Sequence, residues 1–245
     1  MPVVVQCSEA KEQTSTALWG LSTDAIANGA CTLIGALLGA MVAYWLQRLA
    51  ERIRAFEVER AAAHRFKICL INQINTIVLI QKNNVFPELE KPGRFLSIRP
   101  TAQFDTKKFT LSESELTFLL RSSAGRKIIL EFLMAQENYI EALNAWNMRS
   151  ALHFEKVQPA MAVSGVASGV SFVTSEAHLK GILGEHTYGT LVDCTDNCIE
   201  SLRRAFKYLV EVNGQLNGYL ASRYKGKKGQ FLDISVPETY GLSDS

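Results

Sequence analysis

Charge is missing from one stretch of this sequence: from Ala25 to Gln47 there is no Asp, Glu, Lys or Arg. A second stretch, from Met41 to Phe86, has neither proline nor glycine, so nothing in it interrupts a helix. Catalytic signatures are missing throughout. There is no phosphate-cradling glycine loop, no dinucleotide fingerprint, no nucleophile elbow and no zinc-protease pair of histidines, which removes the reaction classes that depend on them. Histidine is scarce, and His64, His153, His178 and His186 do not fall at metal-ligand spacing from one another. The five cysteines, Cys7, Cys31, Cys69, Cys194 and Cys198, are an odd and scattered set, unlike a secreted disulfide framework, and they fit a reducing compartment. Neither sign of charge dominates, because 26 basic residues meet 24 acidic ones, so the whole chain offers no electrostatic case for nucleic acid. No cofactor and no metal is expected, and the chain does not read as an enzyme.

What is present is apolar mass: 47% of the 245 residues are hydrophobic, and the mean hydropathy of +0.04 is high for a wholly soluble domain. Much of it lies in the uncharged segment. Ala25 to Leu46 would cover about 33 Å as a helix, against a bilayer core of roughly 30 Å. Trp19 precedes it and Tyr44 and Trp45 close it, where amphipathic rings favour the headgroup level. The leader has one base, Lys11, against Glu9, Glu12 and Asp24, which disfavours a cleavable export signal. Basic residues follow instead, with Arg48, Arg52 and Arg54 nearest the membrane surface. The positive-inside rule then predicts a single-pass inner-membrane protein with an extracytoplasmic leader over 1–24, a span over 25–47, and everything after it in the cytoplasm.

Ala27, Cys31, Gly35, Gly39 and Ala43 recur at every fourth residue, so small side chains form one stripe of the span. The Gly35 to Gly39 spacing lets two helix backbones approach closely in lipid, which predicts a homo-oligomer. Asn28 and Thr32 are the polar members that would face a pore if the spans enclosed one.

Periodicity over the remainder predicts an all-α protein in which the transmembrane helix continues into an antiparallel bundle over 48–228. A stalk helix occupies 48–84, with Leu49, Ile53, Phe56, Ala63, Leu70, Ile74 and Ile77 as its seam and Arg60 and Lys67 interrupting it. A loop with three prolines crosses the bundle over 85–109, pinned by Phe95, Leu96 and Ile98. Thr110 and Glu113 have capping-box spacing ahead of a short helix over 111–121. Longer helices follow over 125–157, stopped by Pro159, and over 175–224, weakened by its glycines. Between them, "AMAVSGVASGVSFVTSE" reads as a flexible connection, being too short and glycine-broken for a second span. The tail covers 229–245.

Three constellations invite a chemical reading. Cys194 and Cys198 lie one turn apart, but two thiols do not make a metal site, and buried cysteine is commonly a small hydrophobe. Arg60 with His64, and Arg149 with His153, pair a base with an imidazole. Helical ribonucleases of the HEPN class use such a pair, but at wider spacing than the three intervening residues here, so that resemblance fails. The run "QENYIEALNAWNMRSALHFE" carries amides that either fix helix register or line a polar ligand pocket built from Asn144, Arg149 and His153, with Arg149 as an anion clamp.

Taken together, the acid-leaning leader, "GALLGAMVAYWLQRLAERIRAFEVERAAA", the proline-broken loop and the basic "GKKGQFLDI" resemble a loose group of uncharacterised single-span bacterial membrane proteins. In plan they are similar to membrane-anchored effectors of anti-phage systems. That resemblance implies a lipid-embedded homo-oligomer that perturbs the inner membrane when a cytoplasmic protein or small molecule triggers its bundle. The alternative is a non-conducting tethered scaffold or receptor that docks a cytoplasmic partner.

Overall fold

The computed structural model describes residues 23–165 and 175–224, and every regular element among them is helical. Residue contacts divide the chain into two units, Met1–Val58 and Glu59–Ser245. Residues 1–22 of the expected leader, 166–174 of the glycine-rich connection, and 225–245 with the tail lie outside the described residues.

Helix α1 runs unbroken over Thr23–Ile80, as the absence of glycine and proline after Met41 requires. It is the one helix among the described residues long and apolar enough to cross a membrane, and the apolar window is wholly uncovered by the chain. All residues from 24 to 55 are exposed, including Leu37, Met41, Val42 and Trp45, each more than half exposed.

Burial begins at Glu59. From there Ala63, Phe66, Leu70, Ile74 and Ile77 turn one face of α1 into core. The expected seam therefore starts late: Leu49 and Ile53 are exposed and Phe56 is half-buried. Lys67 does not interrupt the seam either. Its side chain is fully buried, and Nζ donates to Asn213 at 2.7 Å and to Asn217. After Ile80 the helix widens into a π-turn, Gln81–Val85, and a 3₁₀ turn, Phe86–Glu88, ends it where Pro87 brings no N–H.

The crossing loop contains the one-turn helix α2, Arg94–Ser97, with Phe95 and Ile98 buried as expected. From Arg99 the chain continues as a strap without regular structure to Ser112. The short helix that follows is 3₁₀, Glu113–Arg121, and the cap differs from the expected one. Ser112 and Glu115 form it, with the Glu115 carboxylate accepting from the Ser112 N–H at 2.9 Å and hydroxyl at 3.1 Å, whereas the Thr110 hydroxyl donates to Lys107 O. Those bonds from Ser112 hold the Glu115 carboxyl below its ordinary pKa.

Helix α3, Ser123–Leu152, starts two residues after the 3₁₀ helix ends, with the Ser122 hydroxyl accepting from Gly125 N at 3.0 Å. Gly125 is required here: a Cβ would stand 2.0 Å from the Leu119 carbonyl oxygen. Gly125→Ala should therefore push α3 off the 3₁₀ helix and cost about 1–3 kcal/mol, read as a lower unfolding midpoint. An unchanged midpoint would mean that the two elements do not meet there.

Pro159 does not stop this helix. A π-turn, His153–Val157, shifts the register so that Pro159 falls in the first turn of α4, Gln158–Val163, where a missing N–H costs nothing. The last long helix is likewise two, α5 over Glu176–Leu183 and α6 over Glu185–Arg223. Of its glycines only Gly184 breaks it, adopting φ of 77°.

Side-chain contacts set the directions. Arg149 meets Thr195 and Glu141 meets Arg204, so α3 and α6 are antiparallel. Glu59 meets Arg223 and Lys67 meets Asn213, so α1 and α6 are antiparallel too. Phe66 packs edge-on to Phe132 at 4.5 Å, and Glu59 meets Arg121, two residues before α3 begins, which makes α1 and α3 parallel. The simple antiparallel order expected of the bundle thus holds for α6 alone. The chain returns to the start of α3 through the strap, pairing Thr101 with Ser150, Phe104 with Asn147 and Leu111 with Gln136.

Candidate functional site

On α1 the small residues Ala27, Cys31, Gly35, Gly39 and Ala43 are all exposed, and a Cβ added at Gly35 or Gly39 would meet nothing within 4 Å. The stripe is therefore not covered by any described residue. Thr32 bonds within its own helix, its hydroxyl donating to Asn28 O at 2.8 Å, which satisfies it without a pore. Asn28 is exposed, as are Arg48, Arg52 and Arg54 in the turns that follow Trp45.

The proposed pocket residues separate. Asn144 is exposed on the outer face of α3, whereas Arg149 is fully buried and His153 nearly so on the inner one. Arg149 has no carboxylate partner among its bonds. Its Nε donates to Thr195 Oγ1 at 3.2 Å, and Nη2 donates to the carbonyl oxygens of Phe95, at 3.0 Å, and Ile98. The Trp146 ring lies 5.8 Å from the guanidinium carbon. Burial lowers the Arg149 pKa to about 10, which leaves it charged at neutral pH. Burial and that neighbouring charge also lower the pKa of His153. The fork expected to clamp an anion thus holds the backbone of the crossing loop.

Amides do the same along the strap. Gln136 accepts from Leu111 N at 2.8 Å and donates to Leu111 O at 3.1 Å, and Asn147 grips both backbone groups of Phe104 at 2.8 and 2.9 Å. Gln73 donates to Phe109 O at 2.6 Å, and Trp146 Nε1 to the Thr101 hydroxyl at 2.7 Å. In place of fixing helix register, Gln136 and Asn147 hold the backbone of the strap.

Cys198 is buried and its thiol is pushed up to about 12 by desolvation, while partly buried Cys194 is raised in the same direction. Both are held in the unreactive thiol form at neutral pH. Among the described residues no group of three His, Cys, Asp or Glu is arranged to hold a metal.

One cluster was not legible in the sequence. The Glu59 carboxylate, 5% exposed, accepts from Arg121 Nη1 at 3.1 Å, from Arg223 Nε at 3.0 Å and Nη2 at 3.3 Å, and from the Tyr224 hydroxyl at 3.4 Å. Burial and the nearby carboxylate push the Tyr224 hydroxyl up to about 12, so it stays a donor. The faint signal was Glu59 itself, an acid four residues before Ala63 on the apolar face of α1.

No family model matches this sequence, and neither a curated protein nor a solved structure matches it.

Proposed function

We propose that the protein is anchored in the inner membrane by α1 and assembles through its span, acting as an effector that perturbs the bilayer when its bundle is triggered. The observation that carries this is a continuous helix whose residues 24–55 are exposed, uncharged from Ala25 through Gln47, and marked by a stripe of small residues that no described residue covers. Apolar surface on that scale requires hydrocarbon or another copy of itself. Exposed Arg48, Arg52 and Arg54 favour an outside N-terminus with the bundle in the cytoplasm. The anti-phage role rests on likeness of plan alone.

The stripe offers a clean test, since a Cβ added at Gly35 or Gly39 meets nothing within 4 Å among the described residues. Gly35→Ile combined with Gly39→Ile should leave helicity and unfolding unchanged, reduce the number of crosslinked subunits, and abolish dye entry into expressing cells. An unchanged subunit count would remove assembly through this face.

A second reading, a non-conducting scaffold, is favoured by Leu130, Met134 and Met148, which are each more than half exposed along one face of α3. In that case cells exclude dye at every expression level and a cytoplasmic protein copurifies with the bundle.

A further inference from the structure

Where α3 begins and α6 ends, two guanidiniums share one anchor. Arg121 gives only Nη1 to Glu59, and Arg223 gives Nε and Nη2, so each retains N–H groups not used in those bonds. The two side chains are 65% and 44% exposed. They line a cleft of about 380 Å³ together with Ser122, Ala124, Tyr219 and Ser222, and no carboxylate is among the described residues that line it. Ser122 caps α3, so the first-turn N–H groups of Ser123 and Ala124 have no acceptor within the 30-residue helix and add its positive end. Two guanidiniums over one carboxylate leave the cluster net positive.

A second cleft shows the contrast. It measures about 320 Å³, and its Arg94 and Arg203 are matched by Asp196 and Glu200, with Arg94 already bonded to Asp196 at 2.9 Å. Charge there is balanced within the wall.

We propose that the Arg121–Arg223 cleft binds a phosphoanion, the phosphate or diphosphate group of a soluble ligand or of a lipid headgroup. Planar guanidinium forks suit tetrahedral oxyanions better than any other side chain, and a pair of them fixed from beneath has little ordering left to do on binding. Glu59 is a positioning residue: it sets the separation of the two forks without occupying the cleft. The site does not depend on what the span does, so it stands or falls apart from the effector reading.

The test uses the full chain in nanodiscs, titrated with inorganic pyrophosphate at constant ionic strength against chloride. Saturable heat and a rise in unfolding midpoint are expected with pyrophosphate alone. Arg121→Gln should weaken binding about tenfold, the usual cost of one charge-assisted bond, while Arg223 still holds Glu59. Ser222→Glu, an exposed position, should weaken it similarly by placing a carboxylate in the cleft at the cost only of the Ser222 hydroxyl's local bond to Tyr219 O, which keeps the test open if Arg121→Gln does not fold. Nanodiscs with and without phosphatidylinositol 4-phosphate separate the sources. Pyrophosphate affinity that falls when the lipid is present assigns a headgroup, and affinity indifferent to it assigns a soluble ligand. No saturable pyrophosphate binding, or wild-type affinity in Ser222→Glu, overturns the proposal.

Discussion

Arg149→Ala is expected to lower the unfolding free energy by about 3–5 kcal/mol, the range for removing one member of a buried ionic or hydrogen-bonded network. Three acceptors lose their donor at once: Thr195 Oγ1 and the carbonyl oxygens of Phe95 and Ile98, all three in buried residues. The side chain also leaves a void against Trp146, because both residues are fully buried. Arg149→Lys keeps the charge but cannot span the three acceptors, so it should recover only part of the loss. Asn144→Ala, on the exposed face of the same helix, should stay within about 0.5 kcal/mol of wild type. Urea unfolding of the full chain in detergent, followed by helical circular dichroism, measures all three. A cost below about 1 kcal/mol for Arg149→Ala would mean that the guanidinium does not anchor the crossing loop.

Glu59→Ala should cost about 2–4 kcal/mol, since one buried carboxylate accepts four bonds from three side chains. The partners are unequal. Arg223 donates twice and is 44% exposed, whereas Arg121 donates once and is 65% exposed. Solvent screening therefore discounts the Arg121 pair to the level of a surface salt bridge. Double-mutant cycles should give a coupling of about 1–2 kcal/mol for Glu59 with Arg223 and under about 1 kcal/mol with Arg121. The reverse order would mean that the arginine of the 3₁₀ helix, not that of α6, secures this end of the bundle.

Helix content was readable from the sequence because periodicity and the lack of breakers are local properties. The unbroken α1 follows from them, whereas the last helix, expected as one element weakened by five glycines, divides at Gly184 alone. What stayed hidden depended on neighbours distant in sequence. Lys67 looks like a flaw in an apolar seam until Asn213 and Asn217 are set beside it. Pro159 looks like a terminator because a π-turn five residues long leaves no composition signal. The direction of α3 relative to α1 turned on whether 99–112 carries the chain back along the bundle, and a stretch with no regular structure has no periodicity to say so. Of the candidate pocket, Arg149 and His153 share a face because they are one turn apart. Asn144 lies five residues before Arg149, well over a quarter-turn round the helix, so a helical wheel already sets it apart.

The strap's path is written in a different part of the chain from the strap. Gln136 and Asn147 clasp an N–H and a carbonyl, groups that every amino acid except proline supplies, so positions 104 and 111 are gripped whatever side chain they carry. Homologous chains can therefore drift freely at those two positions, proline apart, while the clasping amides on α3 stay fixed, and a designer rerouting the segment would edit the helix first.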